Sequence, residues 1–171
     1  MHDDLLDQAR KLLYLDPTRP KQANLRRAVS ATYYALFHFL TTQSARTLIG
    51  AHQSLTSYRH LLARAYVHGE MKSACIAFGG GSYPRSLAAG LPTDFAVRKE
   101  IEDIAMAFVD LQSKRHIADY DFSQTLTRAD VLATIEVAHA SIDEFNKFDS
   151  SDGCRKFFLV CLLIWRSLGS R

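Results

Sequence analysis

Apolar positions recur at steps of three and four along nearly the whole chain, the period of an amphipathic helix. Leu5, Leu6, Ala9, Leu12 and Leu13 share one face of a first segment. Asp16-Pro17-Thr18-Arg19-Pro20 interrupts it, because proline cannot continue a hydrogen-bonded helix interior. Pro20 suits the first turn of a second helix, expected to run to about Ser44. Its stripe is Leu25, Val29, Thr32, Leu36 and Leu40, and Tyr33, Tyr34, Phe37 and Phe39 widen the apolar surface, as in a central helix. Leu55, Tyr58, Leu62 and Tyr66 predict a third helix over Ala51 to Ile76. The glycines and prolines between Phe78 and Pro92 predict a long loop, about 77–92. Thr93 or Asp94 can cap a fourth helix with the stripe Val97, Ile101, Ile104, Phe108 and Leu111. Arg115 to Gln124 is polar and breaks that pattern. Thr127 and Asp130 resemble a capping box for a fifth helix, with Val131, Ile135, Ala138, Ile142 and Phe145 inward. Asp149 to Gly153 is a turn, and Cys154 to about Leu168 is a last helix. No segment alternates with a period of two. The expected fold is all-α, an up-and-down bundle of five to six helices.

A chain of 171 residues fits one domain spanning 1–171. An apolar fraction of 47% argues for a packed core rather than disorder. The formal charge of +3 permits an anionic partner without demanding one. Cys75, Cys154 and Cys161 are odd in number and form no CxxC, which disfavours a disulfide framework or structural zinc and fits a reducing cytoplasm. The opening MHDDLLDQAR is acidic, unlike a secretory leader. The longest apolar run, Phe157 to Trp165, falls short of the roughly 20 residues a membrane span needs. No membrane association is expected.

Charge and aromatic groups concentrate in Leu111 to Phe122, where the fourth helix is expected to end. Lys114 and Arg115 there would meet the negative end of the helix dipole. Alternatively Arg115 holds a phosphate, since a guanidinium makes two parallel charge-assisted hydrogen bonds. Both readings stand.

Two segments carry a family resemblance. Arg26-Arg27-Ala28-Val29-Ser30-Ala31-Thr32-Tyr33-Tyr34-Ala35-Leu36-Phe37-His38 resembles the second helix of HEPN proteins (higher eukaryotes and prokaryotes nucleotide-binding). Leu111 to Asp121 resembles the later signature of the subgroup in which Arg is followed by Ala-Asp-Tyr. The resemblance implies a helical bundle that often dimerises, with a site near the fourth helix that often faces its twin. Many members resemble metal-independent ribonucleases acting as toxins or defence effectors, and a nucleotidyltransferase-like antitoxin is an implied partner. Active members place His a short spacer after the Arg. Here Arg115 is followed by His116, and Tyr120 stands where that His is expected. Tyrosine, with a reference pKa of about 10, is a weak base near neutrality, whereas histidine is well matched. On a continuing helix His116 would point roughly 100° away from Arg115. It converges with Arg115 if the helix ends there or across a dimer.

The candidate catalytic residues are therefore Arg115, His116 and Tyr120. The candidate phosphate- or nucleotide-binding residues are Arg115, Lys114, Asp119, Arg26, Arg27 and His38. Arg26 and Arg27 at a helix start oppose the dipole, so a ligand or an ion pair is expected to employ them. His38 is either a structural histidine among aromatics or a neighbour of the site. His60, Arg64 and His68 share one face of the third helix and with Arg59 form a basic stripe able to hold a phosphate backbone. No ligand spacing for a metal is present. Asp119 and Asp121 pair with arginine or cap a turn more readily than they bind a metal. Gly79 to Gly81 lacks the rest of a P-loop and reads as a linker. No cofactor is expected. The expected function is an RNA- or nucleotide-binding, or partner-binding, HEPN-like homodimer. The alternatives are a metal-independent ribonuclease with a rearranged Arg/His site, and an interaction module using the Phe157–Trp165 helix.

Overall fold

The computed structural model describes residues 1–81, 83, 91 and 95–169. Among them the chain is all-α, with seven α-helices: α1 His2–Tyr14, α2 Gln22–Ile49, α3 Thr56–Ala63, α4 His68–Gly79, α5 Lys99–Tyr120, α6 Arg128–Asn146 and α7 Gly153–Gly169. A short 3-10 turn, Gln53–Leu55, precedes α3. The all-α expectation holds. The count rises to seven because the expected third helix is two.

That split has a physical cause. The expected stripe is not buried: Tyr58 lies 61% exposed, and α3 buries no residue at all. Only Tyr66 enters the core, where its hydroxyl donates to Oγ of Ser44. Seating it breaks the helix. Arg64 and Ala65 close tight turns onto Leu61 and Leu62, and Val67 turns extended. A buried aromatic with a satisfied hydroxyl outweighs the modest helix propensity of its neighbours.

Other boundaries shift for local reasons. Pro20 lies just outside α2, whose first turn closes on the carbonyl of Lys21. The Asp16 carboxylate receives the Lys21 amide and the Asn24 side chain. α2 passes Ser44 and ends at Gly50, which adopts a φ of +101° that a side chain would resist. α4 runs to Gly79, into the span 77–92 expected as a loop, and most of the rest of that span lies outside the described residues. α5 begins at Lys99, after Val97, and the proposed caps Thr93 and Asp94 lie outside the described residues. The capping box before α6 is present: Asp130 accepts from the amide (3.0 Å) and hydroxyl (2.6 Å) of Thr127, and its own amide donates back at 3.2 Å.

The chain packs as two compact units interleaved along the sequence. The first comprises Met1–Phe39 and Ala107–Asp143; the second comprises Leu40–Met106 and the residues from Glu144 on. In the first, Leu6, Ala9 and Leu13 of α1 join Leu25, Val29, Tyr33 and Leu36 of α2. Phe108 and Leu111 of α5 and Val131, Ile135 and Ala138 of α6 complete its core. Each buried Leu or Phe contributes about 1.5–3 kcal/mol by leaving water. In the second, Phe78 of α4 meets Phe158 of α7 edge to face at 5.1 Å, and Phe157 packs against Tyr83 and Phe95. Phe158, Leu159 and Leu162 of α7 are buried there, so the apolar last helix completes a core of its own chain. No helix of the described residues is long and apolar enough to cross a membrane.

Candidate functional site

The two segments that looked informative in the sequence lie against one another in the first unit, through α2 and α5. The polar stretch from Arg115 does not end α5, which continues to Tyr120. Arg115 and Asp119 are therefore one turn apart on the same face, as are His116 and Tyr120.

A polar network joins α5 to α2. Nε of Arg115 lies 2.6 Å from Oδ2 of Asp119, a close charge contact that falls short of an aligned hydrogen bond. The other Asp119 oxygen accepts from the Ser30 hydroxyl at 2.6 Å. Nη2 of Arg115 donates to the Tyr34 hydroxyl at 3.3 Å, and the guanidinium lies over the Tyr34 and Tyr120 rings. Nη1 makes no hydrogen bond among the described residues. A half-buried carboxylate thus fixes the plane of Arg115 and leaves one donor edge unused. His116 packs on the same Tyr120 ring at 4.9 Å, so Arg115 and His116 both border one exposed aromatic.

Two open clefts flank the network. One, of about 350 Å³, is lined by Gln8, Leu12, Arg27, Ser30 and Tyr34 among others. The second, of about 410 Å³, is lined by Arg26, Arg27, Asp119, Tyr120 and Phe122 among others. Arg27 borders both, is exposed, and makes no hydrogen bond or ion pair among the described residues. Tyr120 (63% exposed) and Phe122 (80% exposed) line the second cleft with it, Tyr120 already in contact with Arg115 and His116 and Phe122 under the Arg26 guanidinium at 5.3 Å. An unpaired guanidinium in one cleft with two largely exposed aromatic side chains is equipped to take a phosphate and a base together.

Not every candidate comes to this face. Arg26 is buried, and its guanidinium donates to the carbonyls of Ile117, Ala118, Asp121 and Gln124. It caps the C-terminal end of α5, satisfying carbonyls that the helix leaves open. A phosphate-binding role for Arg26 is thereby replaced by a structural one, and the cation at that helix end comes from α2 rather than from Lys114 or Arg115. Lys114 pairs with Asp110 at 2.7 Å and lines a different cleft with Val29, Ile117 and Leu126. His38 stacks on Tyr34 at 6.1 Å, and burial followed by the amino-terminal charge holds its pKa below the ordinary value. Asp121 turns onto the Ser123 amide and hydroxyl, so it does not join Asp119 as a metal-binding pair. The His60–Arg64–His68 stripe is not one face, because the helix breaks between its members. Arg59 is spent on the carbonyls of Gly50 and His52.

Sequence reasoning missed Ser30, Tyr34 and Phe122. Ser30 and Tyr34 follow Arg27 at helical steps of three and four, a spacing that places all three on one face. Tyr34 was obscured by the aromatic run around it. No family model, curated protein or solved structure matches the chain.

Proposed function

We propose that this face of the first unit binds single-stranded RNA or a nucleotide, and that the chain is a HEPN-like module of a toxin–antitoxin or defence system. The observation that carries this reading is the unengaged Arg27 guanidinium lining one cleft with the largely exposed Tyr120 and Phe122 side chains. Arg115, fixed by Asp119 and Tyr34 next to these cleft residues, adds a second cation whose position costs little further ordering on binding. The family resemblance gains support from packing: its two segments pair through Arg26, Ser30–Asp119 and Tyr34–Arg115. A homodimer and a nucleotidyltransferase-like antitoxin belong to the same proposal, and sedimentation of the chain alone and with a nucleotidyltransferase-like protein tests them.

Fluorescence anisotropy with a short single-stranded RNA, in chelator and at graded salt, tests the binding face. Arg27→Gln and Arg115→Ala weaken binding and flatten its salt dependence, because each removes a phosphate contact. Tyr120→Ala and Phe122→Ala each remove about 1–3 kcal/mol of stacking. Wild-type affinity in both arginine variants refutes the reading.

One contact favours a second reading, metal-independent RNA cleavage. His116 and Arg115 leave the continuing α5 about 100° apart, yet both border the Tyr120 ring, and this shared ring is what links a proton acceptor to the phosphate clamp. In this scheme His116 takes the 2′-hydroxyl proton and the 2′-oxygen bonds to the adjacent phosphorus. The P–O5′ bond breaks to leave a 2′,3′-cyclic phosphate, with the 5′-oxygen taking a proton from water, and Arg115 offsets the phosphorane charge. Absence of cleavage in chelator between about pH 6 and 8, by folded protein that still binds RNA, leaves binding alone.

A further inference from the structure

The second unit holds a basic groove that the proposed RNA face does not use. Its volume is about 450 Å³, and it is lined by Gln43, Arg46, Thr47, Ser150, Arg155 and Lys156 together with Ala51. Arg155 is the unusual member. It is only 8% exposed, and its guanidinium stacks on Phe145 at 5.0 Å. Nη2 donates to the Gln43 side-chain oxygen at 2.9 Å, but Nε is buried without a hydrogen-bond partner. Among the described residues no carboxylate forms an ion pair with it.

A buried cation held mainly by an aromatic ring and one neutral amide is costly, since neither replaces the water it lost. Burial accordingly depresses its pKa below the ordinary arginine value. The nearest acids are otherwise engaged. Asp152 pairs with Arg98 at 3.1 Å and caps the Arg155 amide, and Asp149 receives the amide and hydroxyl of Ser151. Arg46 and Lys156, both exposed, form no ion pair among the described residues. The groove also borders the first turn of α7, whose Arg155 amide is capped by Asp152, so the side-chain cations rather than the helix end give the groove its charge.

We propose that this groove is a phosphate-binding site, in which Arg155 supplies the desolvated contact and Arg46 and Lys156 close on the same group. Three cations with the hydroxyls of Thr47 and Ser150 suit a tetrahedral dianion, whereas a single carboxylate would leave most of these donors unused. The group is either free inorganic phosphate or the phosphate of a nucleotide. The site is independent of the RNA face in the first unit and stands if that reading fails.

The test is titration of the full chain with inorganic phosphate and, separately, with adenosine monophosphate. Two-dimensional amide NMR gives the location and calorimetry the affinity. The amides of Thr47, Ser150, Arg155 and Lys156 shift on addition of phosphate. Arg46→Gln and Lys156→Gln, both surface changes, each weaken binding about tenfold or more. Arg155→Met, which keeps the packing volume, loses the rise in Tm that phosphate gives the wild type. Equal affinity for the two probes identifies the free anion as sufficient, and tighter binding of the nucleotide adds a contact to its base or sugar. Amides of residues 150–156 that stay still with both probes overturn the proposal. So do surface variants that titrate like the wild type.

Discussion

Replacing Arg26 with methionine separates a structural cation from a ligand-binding one. In the first unit its Nη1 serves three carbonyls, those of Ile117 (3.3 Å), Ala118 (2.9 Å) and Asp121 (2.9 Å), and Nη2 serves that of Gln124. Hydrogen bonds from a charged donor contribute roughly 1.5–3 kcal/mol each. The three sharing Nη1 compete, so the group counts as about two full bonds, or roughly 3–6 kcal/mol. Methionine recovers about 1 kcal/mol by burying its stem without a charge. The expected net loss is about 3 kcal/mol, which for a chain of this size lowers Tm by roughly 6–12 °C. Arg26→Lys, a point charge without the fork, retains about half. Urea unfolding followed by circular dichroism measures both. Because the contacts are buried, the loss persists at high salt. An Arg26→Met variant within about 1 kcal/mol of the wild type, but impaired in RNA binding, would refute the capping argument and return Arg26 to the binding face.

Three further outcomes follow from local geometry. Thr127→Val removes the hydroxyl half of the α6 capping box and costs about 1 kcal/mol in the same unfolding assay. The folded pKa of His38 lies below the ordinary histidine value because burial disfavours the charged ring. The unfolded chain therefore takes up that proton first. Its contribution to stability is intact above about pH 6.5 and declines as the pH falls through that value, and His38→Gln flattens this part of a Tm-against-pH curve. The thiols are buried, with Cys161 pushed up to about 12 and Cys75 also raised by desolvation. Native protein is expected to resist alkylation at both and to react at both once unfolded; rapid labelling of the native state would contradict the packing.

How much of the site was legible depended on whether its cue was periodic. Arg115 and Asp119 stand one helical turn apart, and the apolar stripe through Phe108 and Leu111 already sets the phase of that helix. Their pairing needed only the recognition that α5 continues past a polar stretch. The polar residues there mark an open face rather than a helix end, and composition alone does not separate the two. Arg26 and Arg27 illustrate the opposite case. Adjacent and chemically identical, they point about 100° apart on α2, so one is consumed by the end of a neighbouring helix and the other stays in solvent.

Local pattern thus sufficed for the all-α architecture, the seam of α2, the cap of α6 and the presence of α7, because these depend on residues within a turn or two of each other. Long-range packing was needed to break the third segment at Tyr66, to spend Arg26 on the carbonyls closing α5, and to leave Arg155 buried without an ion pair. Each of these rests on a partner between 22 and 112 positions away in sequence. A local pattern carries no record of which distant carbonyl, hydroxyl or amide will be left needing a partner once the core has closed.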